Sequence, residues 1–248
     1  MLSKNQLKYV RQLEHKKYRR REGLFVAEGT KVVGDLLKVC QPRAVFATDE
    51  WEAPIGIEPQ VVTDDELCHL SFLQHPQQVL ALFPIPERVQ VVPPDANTLS
   101  LALDGVQDPG NLGTIIRIAD WFGIPAIYCS DDTADAYNPK VIQATMGSIA
   151  RVNIYYIDLP RMLDRLPADF PIYGTFLDGS NIYREELSPT GIIVMGNEGN
   201  GISQAVGARI NRRLLIPDFH HGATADSLNV AIATAITCSE FRRRSLDV

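Results

Sequence analysis

The chain has 248 residues, of which 45% are hydrophobic and 22% are charged, as in a globular protein of one large or two small domains. No apolar run is long enough to cross a membrane and none follows the basic N-terminus, so neither a membrane protein nor a secretory signal is expected. The four cysteines lie far apart, which argues against a zinc site or disulfide framework and predicts a reducing, cytoplasmic location.

The formal net charge of −6 conceals a basic leader, residues 1–21, on an acidic remainder. The leader holds eight Lys or Arg residues against one acidic residue, Glu14, and therefore carries +7. Clustered cations of this kind suit a polyanion such as RNA, although for the charges taken alone a solvated first helix is the favoured interpretation. The eight candidate RNA-binding residues are Lys4, Lys8, Arg11, Lys16, Lys17, Arg19, Arg20 and Arg21.

The first third of the chain predicts a small α/β domain over residues 1–86. The leader is predicted as an amphipathic helix because apolar residues recur among its charges. A strand and turn at 24–29, a helix at about 32–37, strands at 44–47, 61–62 and 79–83, and a helix near 64–70 follow. Prolines clustered between Pro84 and Pro94 then predict a linker at 87–98.

From residue 99 onward, strands and helices alternate regularly. Strands are predicted at 99–103, 126–129, 154–157, 172–177, 192–195 and 213–216, and helices at about 112–122, 139–149, 161–166, 202–210 and 229–243. Such alternation predicts an α/β fold with a parallel sheet covered on both faces, over residues 99–248. Ligands of open parallel sheets bind beyond the carboxyl ends of the strands.

One of these strands stops abruptly in a glycine-rich turn, Gly196-Asn-Glu-Gly-Asn-Gly201. Glycines expose backbone N–H and C=O groups, so the turn can hold a nucleotide-like ligand. A strand-to-helix connection without a ligand is an equal alternative for this stretch alone. The glycine order differs from the Gly-x-Gly-x-x-Gly of dinucleotide-binding folds, which argues against a dinucleotide-dependent enzyme.

Three segments in this half carry a family resemblance: Asn111-Leu-Gly-Thr-Ile-Ile-Arg117, the Gly196 turn, and Leu215-Ile-Pro217 leading to Ser227-Leu-Asn-Val-Ala231. In order and spacing they resemble the motifs of the SpoU (TrmH-like) family of RNA ribose 2′-O-methyltransferases, in the SPOUT superfamily. The resemblance covers roughly residues 99–244. It implies a deep trefoil knot, a homodimer and S-adenosylmethionine as methyl donor.

A second resemblance lies in the N-terminal third. Glu22-Gly-Leu-Phe-Val-Ala-Glu-Gly-Thr-Lys31 and the strand at 80–83 resemble the substrate-binding domain of SpoU proteins, which is similar to RNA-binding ribosomal proteins. The resemblance implies that the basic leader binds RNA. It favours ribosomal RNA over transfer RNA as the substrate.

The resemblance also assigns catalytic roles. Arg117 is implied to contact the target hydroxyl, as a base assisted by a phosphate or as an electrostatic clamp; a guanidinium is almost always protonated, which favours the clamp. Asn111 is implied to orient the substrate or the arginine, and a plain helix cap is its structural alternative. Glu198 is implied to pair with Arg117 or to hold Asn229, while Ser227 and Asn229 are expected to cap the last helix and face the ligand.

Donor binding in this family uses mainly backbone groups of the loops around the knot, and a buried adenine needs apolar walls. The matching positions are Thr175, Leu177, Gly196, Asn197, Gly201, Ile216 and Leu228.

The segment between Pro217 and Ser227 departs from the family pattern, since it is longer and contains His220 and His221. These histidines offer an alternative base or metal ligands, but adjacent loop histidines are more often solvated, and no metal site is expected. A non-catalytic RNA-binding assembly factor is the competing function. The complete set of Asn111, Arg117, Glu198 and Asn229 argues against it.

Overall fold

A computed structural model describes residues 2–86, 91–220 and 227–245. The helices are α1 (Lys4–Gln12), α2 (Lys16–Glu22), α3 (Thr30–Leu37), α4 (Asp64–Leu70), α5 (Pro109–Trp121), α6 (Pro139–Thr145), α7 (Leu159–Leu163), α8 (Gln204–Gly207) and α9 (Val230–Ser245). The strands are β1 (Leu24–Glu28), β2 (Ala44–Ala47), β3 (Gln60–Val61), β4 (Val79–Pro84), β5 (Leu99–Asp104), β6 (Ala126–Cys129), β7 (Asn153–Tyr156), β8 (Ile172–Asn181), β9 (Gly191–Gly196) and β10 (Arg212–Leu215). Within the described ranges, no helix is long and apolar enough to span a bilayer.

The chain divides into two compact units that do not follow the linear order of the sequence. The first comprises residues 1–90 with 135–150, and the second comprises 91–134 with 151–248. Ile142 of α6 is buried in the core of the first unit, against apolar residues of β1, β4 and α3, so a helix from the second half of the chain completes that core. The sequence did not anticipate this packing, and the boundaries 1–86, 87–98 and 99–248 stay predictions.

The first unit is built on a four-stranded sheet in the order β1-β4-β2-β3. Strands β1 and β2 both pair antiparallel with β4, and β3 pairs parallel with β2. Because side chains alternate across a strand, the sheet has two apolar faces. One packs against α3 and α6, and the other against α1, α4 and the α1–α2 corner.

The basic leader forms two helices where the sequence predicted one. A capping box between Ser3 and Gln6 starts α1, and Gly23, in the left-handed conformation with φ +64°, ends α2. Leu13 is fully buried at the corner between them. The Arg19 guanidinium donates to the carbonyl oxygens of Leu13 (2.8 Å) and Glu14 (2.6 Å), which stabilises the corner.

The second unit contains a six-stranded parallel sheet in the order β10-β8-β9-β5-β6-β7. One apolar face packs against α7 and α8, while α5 and α9 pack against each other. Helices α5 and α9 run side by side in the same direction. Asn229 bonds Asn111 at their first turns, and the Arg242 guanidinium donates to the carbonyl oxygens of Phe122 and Gly123 beyond the end of α5. The predicted α/β class with a parallel sheet is confirmed.

Strand β8 is interrupted by a large bulge. Arg213 and Leu214 are consecutive in β10, yet their partners in β8 are Gly174 and Ser180. Residues Thr175–Gly179 therefore lie outside the regular ladder, in the manner of bulges that redirect side chains near functional sites. A β-carbon on Gly179 would lie 2.4 Å from the backbone carbon of Leu214, so the close approach of β10 requires glycine there.

Candidate active site

The candidate site begins where β5 and β9 end side by side. Asp104 and Gly196, the last residues of these parallel strands, are partners in the ladder, so the loops that follow them leave the same edge of the sheet. Gly105 has φ +74° and its N–H donates to the Ser130 hydroxyl at 2.8 Å. The Asp104 carboxylate accepts a hydrogen bond from the Ser203 N–H at 2.7 Å, which connects the end of β5 to the segment that follows the glycine-rich turn 196–201.

The turn after β9 is held rigidly by Asn197. Its backbone exchanges two 2.9 Å hydrogen bonds with Gly201, leaving Glu198, Gly199 and Asn200 as a three-residue loop. Its side chain donates to the Gly105 carbonyl oxygen at 2.7 Å and accepts from the N–H groups of Gly199 and Asn200, both at 2.9 Å. Asn197 thus closes the turn and also joins it to the loop after β5.

Glu198 and Asn111 meet across these two loops. Asp108 caps α5 by accepting from the Asn111 N–H at 2.8 Å, so Asn111 lies in the first helical turn. The Asn111 side-chain amide donates to the Glu198 carboxylate at 2.9 Å. Backbone N–H groups of Gln107 and Asp108 approach the same carboxylate at 3.3 and 3.4 Å.

Asn229 extends this contact into a chain of three polar side chains. Its amide donates to the Asn111 side-chain oxygen at 2.9 Å, and its own oxygen accepts from the N–H groups of Ala231 and Ile232. Asn229 therefore caps α9, as expected, while it also bonds Asn111. Its expected contact with the ligand stays a prediction. Among the described residues, no hydrogen bond or ion pair joins Glu198 directly to Arg117 or to Asn229. Asn111 connects Glu198 to Asn229.

Arg117 lies on the exposed face of α5, on the same helix as Asn111. Thr114 and Trp121 are exposed on this face as well. Within the described ranges, Arg117 has no hydrogen bond or ion pair. The structural alternative for Arg117 is a surface salt bridge, and none is formed among these residues. The guanidinium is therefore available to a ligand.

The predicted donor-binding residues lie on several loops of the second unit. Thr175 and Leu177 belong to the β8 bulge, Gly196, Asn197 and Gly201 to the turn after β9, Ile216 follows β10, and Leu228 precedes α9. The side chains of Leu177 and Leu228 are 78% and 50% exposed. Such uncovered apolar groups at the loops beyond the strands suit an adenine, whose binding needs apolar walls.

Other predicted residues take no part in the hydrogen-bonded chain. Ser227 is exposed, and no hydrogen bond of its side chain is found among the described residues. His220 is exposed and its N–H donates to Asp218 at 2.7 Å, whereas His221 lies outside the described residues. In the part of the chain that the structure describes, no three His, Cys, Asp or Glu residues are placed to hold a metal ion.

Arg19 is a correction to the predicted RNA-binding set. The residue is 1% exposed, and besides its two carbonyl acceptors it pairs with Asp135 at 2.6 Å. A guanidinium buried in this way does not reach a phosphate. The other members are accessible on α1 and α2: Lys4, Lys8, Arg11, Lys17, Arg20 and Arg21 are exposed, and Lys16 is half-buried with a partner of its own.

Sequence reasoning missed the residues that hold the loops together. Asp104 and Gly105 follow the strand predicted at 99–103 and were given no role, and Asn197 was expected to bind the donor. The sequence did offer one signal for Asp104 and Gly105. A carboxylate and a glycine follow the carboxyl end of a buried strand, where ligands bind and neighbouring loops need side-chain hydrogen bonds to hold them together.

Two known protein families match the chain, one in each half. The SpoU rRNA Methylase family profile matches residues 98–239, and the MRM3-like substrate binding domain matches residues 4–81. The chain belongs to the SpoU rRNA methylase family. This confirms the resemblance in both halves of the sequence, and with it the expected class of RNA methyltransferases.

Individual relatives agree with this membership. The chain is 33% identical, over 97% of both sequences, to the 23S rRNA (guanosine(2553)-2′-O)-methyltransferase RlmP of Bacillus subtilis (strain 168). A solved structure described as a TrmH-family RNA methyltransferase from Porphyromonas gingivalis has a TM-score of 0.86 and 42% identity, covering 98% of this chain and 99% of that one. The S-adenosylmethionine-bound rRNA methyltransferase of Sinorhizobium meliloti has a TM-score of 0.84 and 29% identity, covering 98% and 96%.

Proposed function

We propose that this protein transfers the methyl group of S-adenosylmethionine to a ribose 2′-hydroxyl of ribosomal RNA. The observation that carries the proposal is the hydrogen-bonded chain Glu198–Asn111–Asn229, which joins the three motif segments. Arg117 lies exposed on the same helix as Asn111, and it has no hydrogen bond or ion pair among the described residues. The donor bound in the Sinorhizobium relative and the reaction named for the Bacillus relative agree with it. The reaction named for the Bacillus relative also favours ribosomal RNA over transfer RNA as the substrate.

The polar chain fixes the orientation of its amides. The Glu198 carboxylate can only accept hydrogen bonds, so Asn111 must turn its NH₂ toward Glu198 and its oxygen toward Asn229. Each asparagine keeps one amide N–H beyond these contacts. We propose that these donors orient the ribose at the edge of the sheet, because a hydroxyl held in line with the methyl group reacts faster than a free one.

Arg117 is proposed as the group that stabilises developing charge on the ribose oxygen. The guanidinium remains protonated at neutral pH, so it favours the deprotonated hydroxyl and an adjacent phosphate electrostatically. When bound, the donor supplies an electrophilic methyl group. The protein's part is to hold the nucleophilic oxygen in line with that methyl group and to stabilise the charge that the oxygen develops, while the hydroxyl proton passes to the adjacent RNA phosphate or to water.

Four exposed cations of α1 and α2 are proposed to contact RNA phosphates. They are Lys4, Lys8, Lys17 and Arg20, whereas Arg19 is excluded by its burial. The match of residues 4–81 to a substrate binding domain supports this role. Each lost phosphate contact should reduce the slope of log affinity against log salt by about 0.7 to 0.9.

A homodimer through the second unit, a trefoil knot and a cytoplasmic location complete the proposal. An exposed Trp121 on α5 and Ile232 on the adjacent α9 support the dimer, because exposed apolar groups mark contact surfaces. Likeness to solved relatives over 98% of the chain supports the knot. All four cysteines are free, which suits a reducing compartment.

Calorimetry with S-adenosylmethionine, followed by transfer assays on unmodified ribosomal RNA, tests the proposal. The wild-type protein should bind the donor, and Arg117→Ala should bind it equally well but lose at least about a hundredfold in transfer rate. Undetectable donor binding, or full transfer by Arg117→Ala, would sink the proposal. A matched surface control is Arg209→Lys, since Arg209 pairs with Asp164 outside the site.

A further inference from the structure

Two leader arginines lie over aromatic rings of the first unit. The central guanidinium carbon of Arg21 is 4.8 Å from the centroid of the Tyr18 ring, and that of Arg11 is 4.6 Å from the centroid of Phe72. Tyr18 and Phe72 also pack against the buried core of the unit. Each ring therefore packs against the core of the unit and has an arginine guanidinium over it.

Further contacts fix Arg21 in this position. Its Nε–H donates to the Glu22 carboxylate at 2.7 Å, and the same carboxylate accepts from the Tyr9 hydroxyl at 3.2 Å. The Arg21 side chain nevertheless remains 57% exposed. A planar group held in place before its ligand arrives loses little conformational entropy on binding.

The chemistry of this platform differs from that of the neighbouring lysines. Glu22 neutralises much of the Arg21 charge, which weakens attraction for a phosphate. The exposed side of a guanidinium plane, however, stacks against a nucleobase, and proteins read unpaired RNA by such stacking. The surrounding lysines of α1 and α2 supply the positive charge that brings a polyanion to the surface.

We propose that Arg21 on Tyr18, and Arg11 on Phe72, are stacking platforms for unpaired bases of the RNA substrate. This inference rests on the proposed function, since RNA is the substrate that function names. It adds a recognition mode: the first unit binds single-stranded or looped RNA, with lysines on the phosphates and two arginine planes on bases. Paired bases are stacked inside a duplex and offer these planes no free face.

The test compares full-length variants that keep every charge. Arg21→Lys and Arg11→Lys retain a cation beside Glu22 or Phe72 but lose the plane. Arg43→Lys is the control, because Arg43 is an exposed arginine of the same unit with no ring contact among the described residues. The probes are a labelled single-stranded RNA oligomer of mixed sequence and the same oligomer annealed to its complement, titrated by fluorescence anisotropy.

Each platform variant should lose about fivefold or more in affinity for the single strand, with unchanged salt dependence and unchanged affinity for the duplex. Arg43→Lys should match the wild type on both probes. Wild-type affinity of the platform variants for the single strand, or equal losses on both probes, would overturn the inference. A wild-type protein that binds neither probe would instead count against the proposed RNA substrate, so the two failures are distinguishable.

Discussion

Glu198 acts on its surroundings through Asn111. The carboxylate accepts the Asn111 amide at 2.9 Å, and Asn111 accepts the Asn229 amide at the same distance. One carboxylate therefore determines the orientation of two asparagines from separate motifs. Because this orientation decides which amide groups face the ligand, displacing Glu198 should affect all three residues together.

Asn197 is expected to act on the reaction through Glu198, since its side chain joins the Glu198 turn to Gly105. Asn197→Ala should lower kcat in the wild-type protein. In a protein that already carries Glu198→Ala, the same substitution should lower kcat only slightly further. The resulting coupling should fall in the range of about 0.5–3 kcal/mol found for residues of one network. Transfer kinetics of the two single variants and the double variant measure it.

Asn200→Ala is the matched control for this cycle. Asn200 lies in the same turn and its backbone N–H bonds Asn197, but no side-chain hydrogen bond of Asn200 is found in the described part of the chain. Its kcat should stay close to that of the wild type. Strictly additive losses from Asn197→Ala and Glu198→Ala would show that Asn197 acts independently of Glu198.

The buried guanidinium of Arg19 should matter for stability. Arg19→Ala removes one partner of an ion pair to Asp135 and uncovers two carbonyl oxygens at the α1–α2 corner, so it should cost about 3–5 kcal/mol. Arg20→Ala, an exposed neighbour, should change stability by no more than about 0.5 kcal/mol. Denaturant unfolding measures both, and similar midpoints for the two variants would contradict the structural role of Arg19.

Residue types in the motifs predict which side chains carry the chemistry, but not which of them touch. Asn111 and Glu198 are 87 residues apart, and Asn111 and Asn229 are 118 apart, so their contacts depend on loop geometry that no local pattern encodes. Arg19 shows the same limit. It stands beside Arg20 and Arg21 in one basic run, and only the fold separates the buried cation from the exposed ones.

Hydrophobic periodicity predicts the buried strands well. The runs 44–47 and 126–129 match β2 and β6 to the residue, because buried strands of a sheet are continuous apolar runs. The β8 bulge was not predicted. Its position is set by pairing with β10, about 40 residues later in the chain, and Gly179 is its only local sign.

Gly196 should be irreplaceable at the end of β9. A β-carbon there would lie 2.2 Å from the backbone carbon of Gly201 and 2.3 Å from the Ile202 nitrogen. Gly196→Ala must therefore open the turn, lowering donor affinity and thermal stability together. Calorimetry and thermal unfolding measure the two effects.

Gly199→Ala, in the same turn, should be tolerated. Its nearest neighbour would be the Asn197 side-chain oxygen at an ordinary 3.6 Å, and its backbone is not left-handed. Equal donor affinity for Gly196→Ala and Gly199→Ala would contradict the account of the turn.

Residues 135–150 belong to the strand and helix alternation that begins at residue 99, yet α6 packs in the core of the first unit. The choice depends on tertiary packing, since an apolar helix fits either core by composition alone.

The proposed dimer should depend on the exposed face of α5. Trp121 is 85% exposed, and burial of a tryptophan contributes strongly to an interface. Trp121→Glu should shift the protein from twice the chain mass toward the monomer mass in light scattering. Ile55→Glu, at an exposed apolar residue of the first unit, should leave the mass unchanged. A wild-type protein that is monomeric at all concentrations, or a dimer indifferent to Trp121→Glu, would contradict the dimer.

Alkaline hydrolysis distinguishes methyl transfer to a ribose oxygen from methyl transfer to a base. The protein is incubated with labelled S-adenosylmethionine and unmodified ribosomal RNA, and the RNA is then hydrolysed in alkali. A 2′-O-methyl group blocks attack of that oxygen on the adjacent phosphate, so we expect label in alkali-resistant dinucleotides. Label released in mononucleotides, as base methylation would give, or no incorporation at all, would contradict methyl transfer to a ribose oxygen.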